Sequence, residues 1–291
     1  MKRDTYQFIT DKIVAVLETG VCPWLQPWGK GIRPHRPLRH NGIPYHGVNT
    51  IVLWLAAAEQ GYNSAYWLTF KQALGLGASV RKGEKSTLVV YSRAIEKGTT
   101  VDRKISFSRG YAVFNAQQID GLPVYYYYKP APTDEPKQAI KNADIFFANL
   151  GADIRNGGNS AYYSLETDHV QMPRFDAFSS AEAYAGTLAH ELIRWTSSRG
   201  RLNRDLLRCG QDKDAYAREA LIAELGACFL CCDLGIKARP REDHASHIGL
   251  WMKILKGDKR AIFQAASAAE KAVGFMQDLQ PLTDVAPSYR L

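Results

Sequence analysis

The sequence predicts an α+β protein of two domains. A mixed α+β N-terminal domain covers residues 1–130, and a mostly helical C-terminal domain with a small sheet covers residues 138–291, joined by a linker at 131–137. Three observations lead there. Helical and alternating apolar patterns are interleaved up to residue 130, whereas 3.6-residue periodicities dominate afterwards. The join holds Pro130, Pro132 and Pro136 in a polar setting, which marks a break between regular elements. Charge divides at the same place: residues 1–130 carry 17 Lys and Arg against 8 Asp and Glu, and residues 131–291 carry 20 against 21. A chain of 291 residues is long enough to bury two such cores.

In the N-terminal part, Tyr6, Ile9, Ile13, Val16 and Leu17 fall at helical spacing over residues 4–17, and Gly20 ends that helix. The loop up to Gly47 interleaves Trp24, Trp28 and Tyr45 with Lys30, Arg33, Arg36 and Arg39. Rings that stack on bases beside cations that meet phosphates suit single-stranded nucleic acid. Tryptophans that pack the loop onto the domain would leave the same composition. Residues 49–60 form a strongly apolar helix stopped by Gly61. Thr69-Phe70-Lys71-Gln72 has the spacing of a capping box and opens a short helix ending at Gly75 or Gly77. Arg81-Lys82-Gly83-Glu84 is a turn, and the apolar runs that follow make residues 86–115 a hairpin. The basic excess of this half is the footprint of a domain that meets a polyanion, although a solvated basic face would show it too.

Tyr125 to Tyr128 and the proline-rich stretch after them read as the connection to the second half. Residues 140–150 form a helix closed by Gly151, and residues 161–172 alternate as paired short strands. Ser179-Ser180-Ala181-Glu182 caps a helix running to about Thr196, which carries His190-Glu191-Leu192-Ile193-Arg194. That run matches the zinc-peptidase motif H-E-x-x-H in all but its last position. In the motif, two histidines one turn apart bind one metal, and the glutamate serves as general base for its water. Here the second histidine is Arg194, whose guanidinium offers no lone pair to a cation. A second helix, residues 215–234, ends at Gly235 and holds Glu224 among apolar neighbours, a place where a carboxylate needs a cation or a donor. Gly226 and Ala227 would let it pack closely on the His190 helix. Cys228, Cys231 and Cys232 read as small buried hydrophobes within it. Two further helices, residues 244–255 and 260–279, cover the core.

Four motifs then occur in order: Tyr45-His46-Gly47-Val48-Asn49, Tyr66-Trp67-Leu68-Thr69-Phe70-Lys71-Gln72, Val80-Arg81-Lys82-Gly83-Glu84-Lys85 and Val113-Phe114-Asn115-Ala116-Gln117-Gln118. With these the chain resembles the ArdC antirestriction family, found on conjugative plasmids and in phage polyvalent proteins. The resemblance implies an N-terminal domain associated with single-stranded DNA and a zincin-like C-terminal metallopeptidase domain. It implies antirestriction, the protection of incoming plasmid or phage DNA from host restriction. The candidate DNA contacts are Trp28, Lys30, Arg33, Arg36, Tyr45, Asn49, Trp67, Lys71, Arg81, Lys82 and Lys85. By match to the family pattern, His190 and Glu224 are metal ligands for zinc or manganese and Glu191 is the catalytic base. The sequence departs from that pattern twice, at Arg194 and at Ser197-Ser198, where the family commonly has a histidine.

Two readings compete for the His190 site. In one, a divalent metal persists and water, His169, His244 or His247 replaces the missing imidazole. In the other the metal is gone, and Arg194 pairs with Glu224 or Glu191 where the cation sat. The functional expectations follow: a single-stranded DNA-binding antirestriction protein with a degenerate peptidase site, or an active peptidase acting on a host restriction protein or another host protein. A third reading makes the chain a structural partner of a conjugation primase or relaxase complex. No apolar run approaches the roughly 20 residues of a membrane span. With no secretory signal and an odd count of five cysteines, a reducing cytoplasm is the expected location.

Overall fold

The computed structural model describes residues 4–25, 35–94, 105–127, 136–237 and 244–281. Trp28, Lys30 and Arg33, and all but the last two residues of the expected linker, lie outside them. The chain divides into two compact units, residues 1–9 with 37–129 and residues 10–36 with 130–291. Residues 10–36, expected with the first half, cluster here with the second unit. Helix α1 (Thr5–Leu17) buries Ile13 and Leu17 completely or nearly so, and Trp24 packs edge-on against Trp251 at 5.5 Å. Apolar burial of that kind outweighs position in the sequence.

In the first unit, β1 (Leu38–Arg39) pairs in parallel with β2 (Tyr66–Leu68). Between them runs α2 (Val48–Gln60), closed by Gly61 at φ 69°. Helix α3 (Phe70–Gly75) begins at the expected capping box: Thr69 Oγ1 accepts from Gln72 N, and Gln72 Oε1 accepts from Thr69 N. Strand β3 (Ser79–Val80) follows, then the expected hairpin, β4 (Thr87–Ala94) against β5 (Ile105–Asn115), with an irregularity between Tyr91 and Ser92. Strand β6 (Ile119–Asp120) pairs with β3, and the main sheet has the order β1-β2-β5-β4. Alternation puts Trp67, Val89 and Val113 on one face, where Leu53 and Ala56 of α2 and Tyr45 cover them. Leu68 faces the other way, into a core with Ala73, Ala78, Ile119, Leu122 and Tyr126. Tyr126 therefore belongs to a domain core, although the sequence places it in a connecting stretch.

In the second unit, α4 (Pro136–Ala148) precedes a three-stranded sheet of β7 (Asp153–Asn156), β8 (Tyr162–Ser164) and β9 (His169–Met172). The expected pair β8–β9 is antiparallel, and β7 adds in parallel on the other side of β9. Helix α5 (Ala181–Trp195) is capped by Ser180, whose hydroxyl accepts from Ala183 N at 3.2 Å. After the short α6 (Leu206–Cys209), α7 (Lys213–Asp233) starts at the Asp212 cap and is buried along most of its length. It packs against α5, α8 (His244–Gly257) and α9 (Ala261–Asp278). An apolar helix enclosed on several sides has no single polar face to expose. Among the described residues, no helix is long and apolar enough to cross a membrane.

Candidate functional site

Helices α5 and α7 cross where glycine removes a side chain. A Cβ built on Gly226 would lie 2.7 Å from Ile193 Cδ1. This is the close approach that the small residues of α7 predict, and it brings the two halves of the candidate site together. His190 Nδ1 lies 3.5 Å from Glu224 Oε2, and both side chains are buried. One turn along α7, the Cys228 thiol donates weakly toward Glu224 Oε1 at 3.9 Å. Glu191 is 1% exposed, and its Oε2 lies 3.7 Å from Arg194 Nη1. The guanidinium thus sits at the position of the motif's second histidine and faces the motif's own base.

This donor set does not fit a site with three protein ligands. His190 and Glu224 supply two donors, and the side chain one turn from His190 is a cation. Among the described residues, no group of three His, Cys, Asp or Glu side chains comes together as metal ligands do. Of the substitutes considered from sequence, His169 is held on β9 with its Nδ1 2.6 Å from Thr167 Oγ1. His247 stacks on Trp251 and meets Tyr216 Oη at 3.3 Å. The side chain of His244 lies outside the described residues. Cys228 and Cys231 are fully buried thiols, and desolvation pushes the first well up and the second up to about 12. They behave as the small hydrophobes that the helical pattern predicts.

Two arginines that the sequence reading did not single out fix the end of α5. Arg204 donates from Nη2 to Ile193 O at 2.7 Å and from Nη1 to Thr196 Oγ1 at 2.9 Å. It also forks onto Glu219 of α7, the nearest contact being 2.8 Å. Arg201 donates to Trp195 O at 2.6 Å, lies 4.1 Å above the Trp195 ring, and pairs with Asp168 between β8 and β9. Asp168 also accepts from Tyr163 at 2.7 Å. Hydrogen bonding from Arg201, opposed by partial burial and reinforced by Tyr163, holds its carboxyl below the usual range. The last carbonyls of a helix attract cations. A carboxylate such as Glu219 within an apolar helix was the available signal, since it needs a partner when buried.

The candidate DNA contacts separate into two groups. Tyr45 and Trp67 are 2% and 1% exposed beneath α2, so neither can stack on a base without unpacking the core. Asn49 spends its amide on β4, donating to Val90 O at 2.7 Å and accepting from Val90 N at 2.8 Å. Arg36 is buried in the second unit. It binds Asp233 through Nε at 2.8 Å and Nη2 at 2.9 Å, reaches Glu270 at 2.5 Å, and covers the Phe229 ring. Burial engages Tyr45, Trp67 and Arg36, and the hydrogen bonds to β4 engage half-buried Asn49, so internal partners already occupy all four of these expected contacts. Lys71, Lys82 and Lys85 are exposed. Arg81 is exposed as well, but it pairs with Glu84 at 2.7 Å and Asp120 at 3.4 Å and donates to Gln117 O at 2.6 Å. Gln118 anchors the same turn on Glu84 and on Lys85 O. The Gln118 amide, then Arg81, hold the Glu84 carboxyl low against the opposing effect of burial.

Comparisons with known proteins cover both units. Residues 3–114 match the N-terminal domain of anti-restriction factor ArdC, and residues 141–268 match a zincin-like metallopeptidase family. An uncharacterized protein, y4eC of Sinorhizobium fredii, is 38% identical over 95% of this chain and 92% of its own length. DNA primase TraC of Escherichia coli is 34% identical over 95% of this chain, which spans only 27% of that protein. The crystal structure of antirestriction ArdC from plasmid R388 superposes with a TM-score of 0.78, covering 95% of this chain and 98% of that one. Identity is 42% for its metal-free form and 43% for its Mn(II)-bound form. Matches to both domain families in their expected order, with a homologous structure along nearly the full length, make the chain a member of the ArdC antirestriction family.

Proposed function

We propose that this protein protects incoming plasmid or phage DNA in the cytoplasm by binding it while it is single-stranded, and that its zincin-like unit has lost metal-dependent proteolysis. One observation carries the first part: the first unit holds 13 Lys and Arg against 6 Asp and Glu, while the second is close to balance at 24 against 23. A polyanion meets that unit favourably. The second part rests on Arg194. A water activated for peptide hydrolysis needs a Lewis acid, and the residues here supply two donors and a guanidinium.

Binding to a labelled oligonucleotide over a salt series tests the nucleic-acid reading. Affinity for single strands should exceed that for duplex and fall steeply as salt rises, because each neutralised phosphate releases counterions. Equal or tighter binding to duplex at every salt concentration contradicts it. The Mn(II)-bound form of R388 ArdC favours a second reading, a metal-dependent peptidase acting on a host restriction protein. That reading predicts chelator-sensitive cleavage abolished by Glu191→Ala. The similarity to part of TraC favours a further setting, beside a conjugation primase.

A further inference from the structure

We infer that Tyr125, backed by Tyr126 and edged by Tyr66, is a base-stacking platform for single-stranded DNA on the first unit; the inference rests on the nucleic-acid reading above. These residues sit at the 3-10 turn Val124–Tyr126, which the sequence pattern assigns to a connection. The turn is fixed from below. Tyr126 is 1% exposed, donates its hydroxyl to His40 O at 2.7 Å, and accepts at its carbonyl from Ser64 Oγ at 2.5 Å. Tyr127 donates to Ile119 O at 2.7 Å and accepts from Leu122 N at 3.1 Å. What these bonds hold outward is apolar: Val124 is 62% exposed and Tyr125 is 55% exposed.

The Tyr125 ring lies on the Tyr126 ring with centroids 4.4 Å apart and planes at 30°. Tyr66, on β2, presents its ring nearly perpendicular to both, at 6.2 Å from Tyr125 and 4.9 Å from Tyr126. One face of Tyr125 is thus occupied by a buried aromatic, while its exposure leaves surface for a planar ligand. Holding the ring in place lowers the ordering cost of binding. Every base has a π face, so such a ring accepts any base that is not already stacked, which favours a single strand over a duplex. Charge agrees with this occupant. The unit as a whole carries the basic excess.

The test is fluorescence anisotropy of a labelled oligothymidylate with the full chain over a salt series, for wild type, Tyr125→Ala, Tyr125→Phe and Tyr91→Ala. Tyr91 is a control ring with similar exposure, 54%, on β4. Tyr125→Ala should weaken binding about tenfold with an unchanged salt slope, because a stacking surface and no cation is lost. Tyr125→Phe should keep affinity within about twofold, since the ring remains. Tyr91→Ala should bind like wild type. Wild-type affinity in Tyr125→Ala, or an equal loss in Tyr91→Ala, overturns the platform while leaving DNA binding intact. A wild-type protein that binds no single strand at low salt overturns the nucleic-acid reading itself.

Discussion

Arg36 shows how one residue type supports opposite readings. In the sequence it is one of several cations among tryptophans, the pattern of a phosphate contact. In the fold its side chain is 6% exposed and its guanidinium is divided between Asp233 and Glu270, with Phe229 beneath it. Removing one member of a buried ion pair leaves the other charge without compensation, at a cost of about 3 kcal/mol. Arg36→Ala should therefore lower the denaturant midpoint of the second unit and leave oligonucleotide affinity at the wild-type value, which chemical denaturation and anisotropy together check. Lys82→Ala, exposed in the first unit, should do the reverse: stability unchanged within about 0.5 kcal/mol, weaker binding and a salt slope reduced by about one. Tyr45 and Trp67 were legible as aromatic but not as buried. Composition cannot tell a ring that stacks on a base from one that packs beneath α2.

At the scale of elements, the crossing of α5 and α7 sets the site, and Gly226 sets the crossing. Substituting alanine would place a methyl carbon against three carbons of Ile193, at 2.7 to 3.0 Å. Overpacking of this kind costs about 1–3 kcal/mol. Gly226→Ala should lower the thermal midpoint, and Gly226→Ala with Ile193→Val should recover part of the loss. Recovery would tie the effect to this contact rather than to helix propensity, which favours alanine. Much of this level was readable beforehand. The capping box at Thr69, the hairpin after residue 86, the helix stops at Gly61 and Gly235 and the small residues of α7 all act through local rules, so a single chain displays them. Strand β7 escaped because its partner β9 is parallel and separated from it in sequence by β8. The arginines that close α5 escaped for a related reason. Arg201 and Arg204 matter through partners on other elements, and side-chain pairing over long separations leaves no periodicity.

Over the whole molecule, two units carry different chemistry. The first keeps the basic excess and an outward aromatic at Tyr125; the second keeps the zincin-like helix pair but holds Arg194 at the place of the zinc-peptidase motif's second histidine. The candidate site was legible to the extent that its residues were named: His190 and Glu224 do meet across two helices, and Arg194 does face Glu191. The first unit's surface was not, because exposure there depends on which rings α2 and the 123–127 segment cover. Elemental analysis of tag-free protein loaded with Mn(II) or Zn(II), with Arg194→His alongside, tests the central claim most directly. Wild type should retain only traces after desalting, and Arg194→His should retain close to one ion per chain, since it restores the third ligand. One tightly held ion per wild-type chain would contradict the account and return the second unit to metal-dependent chemistry.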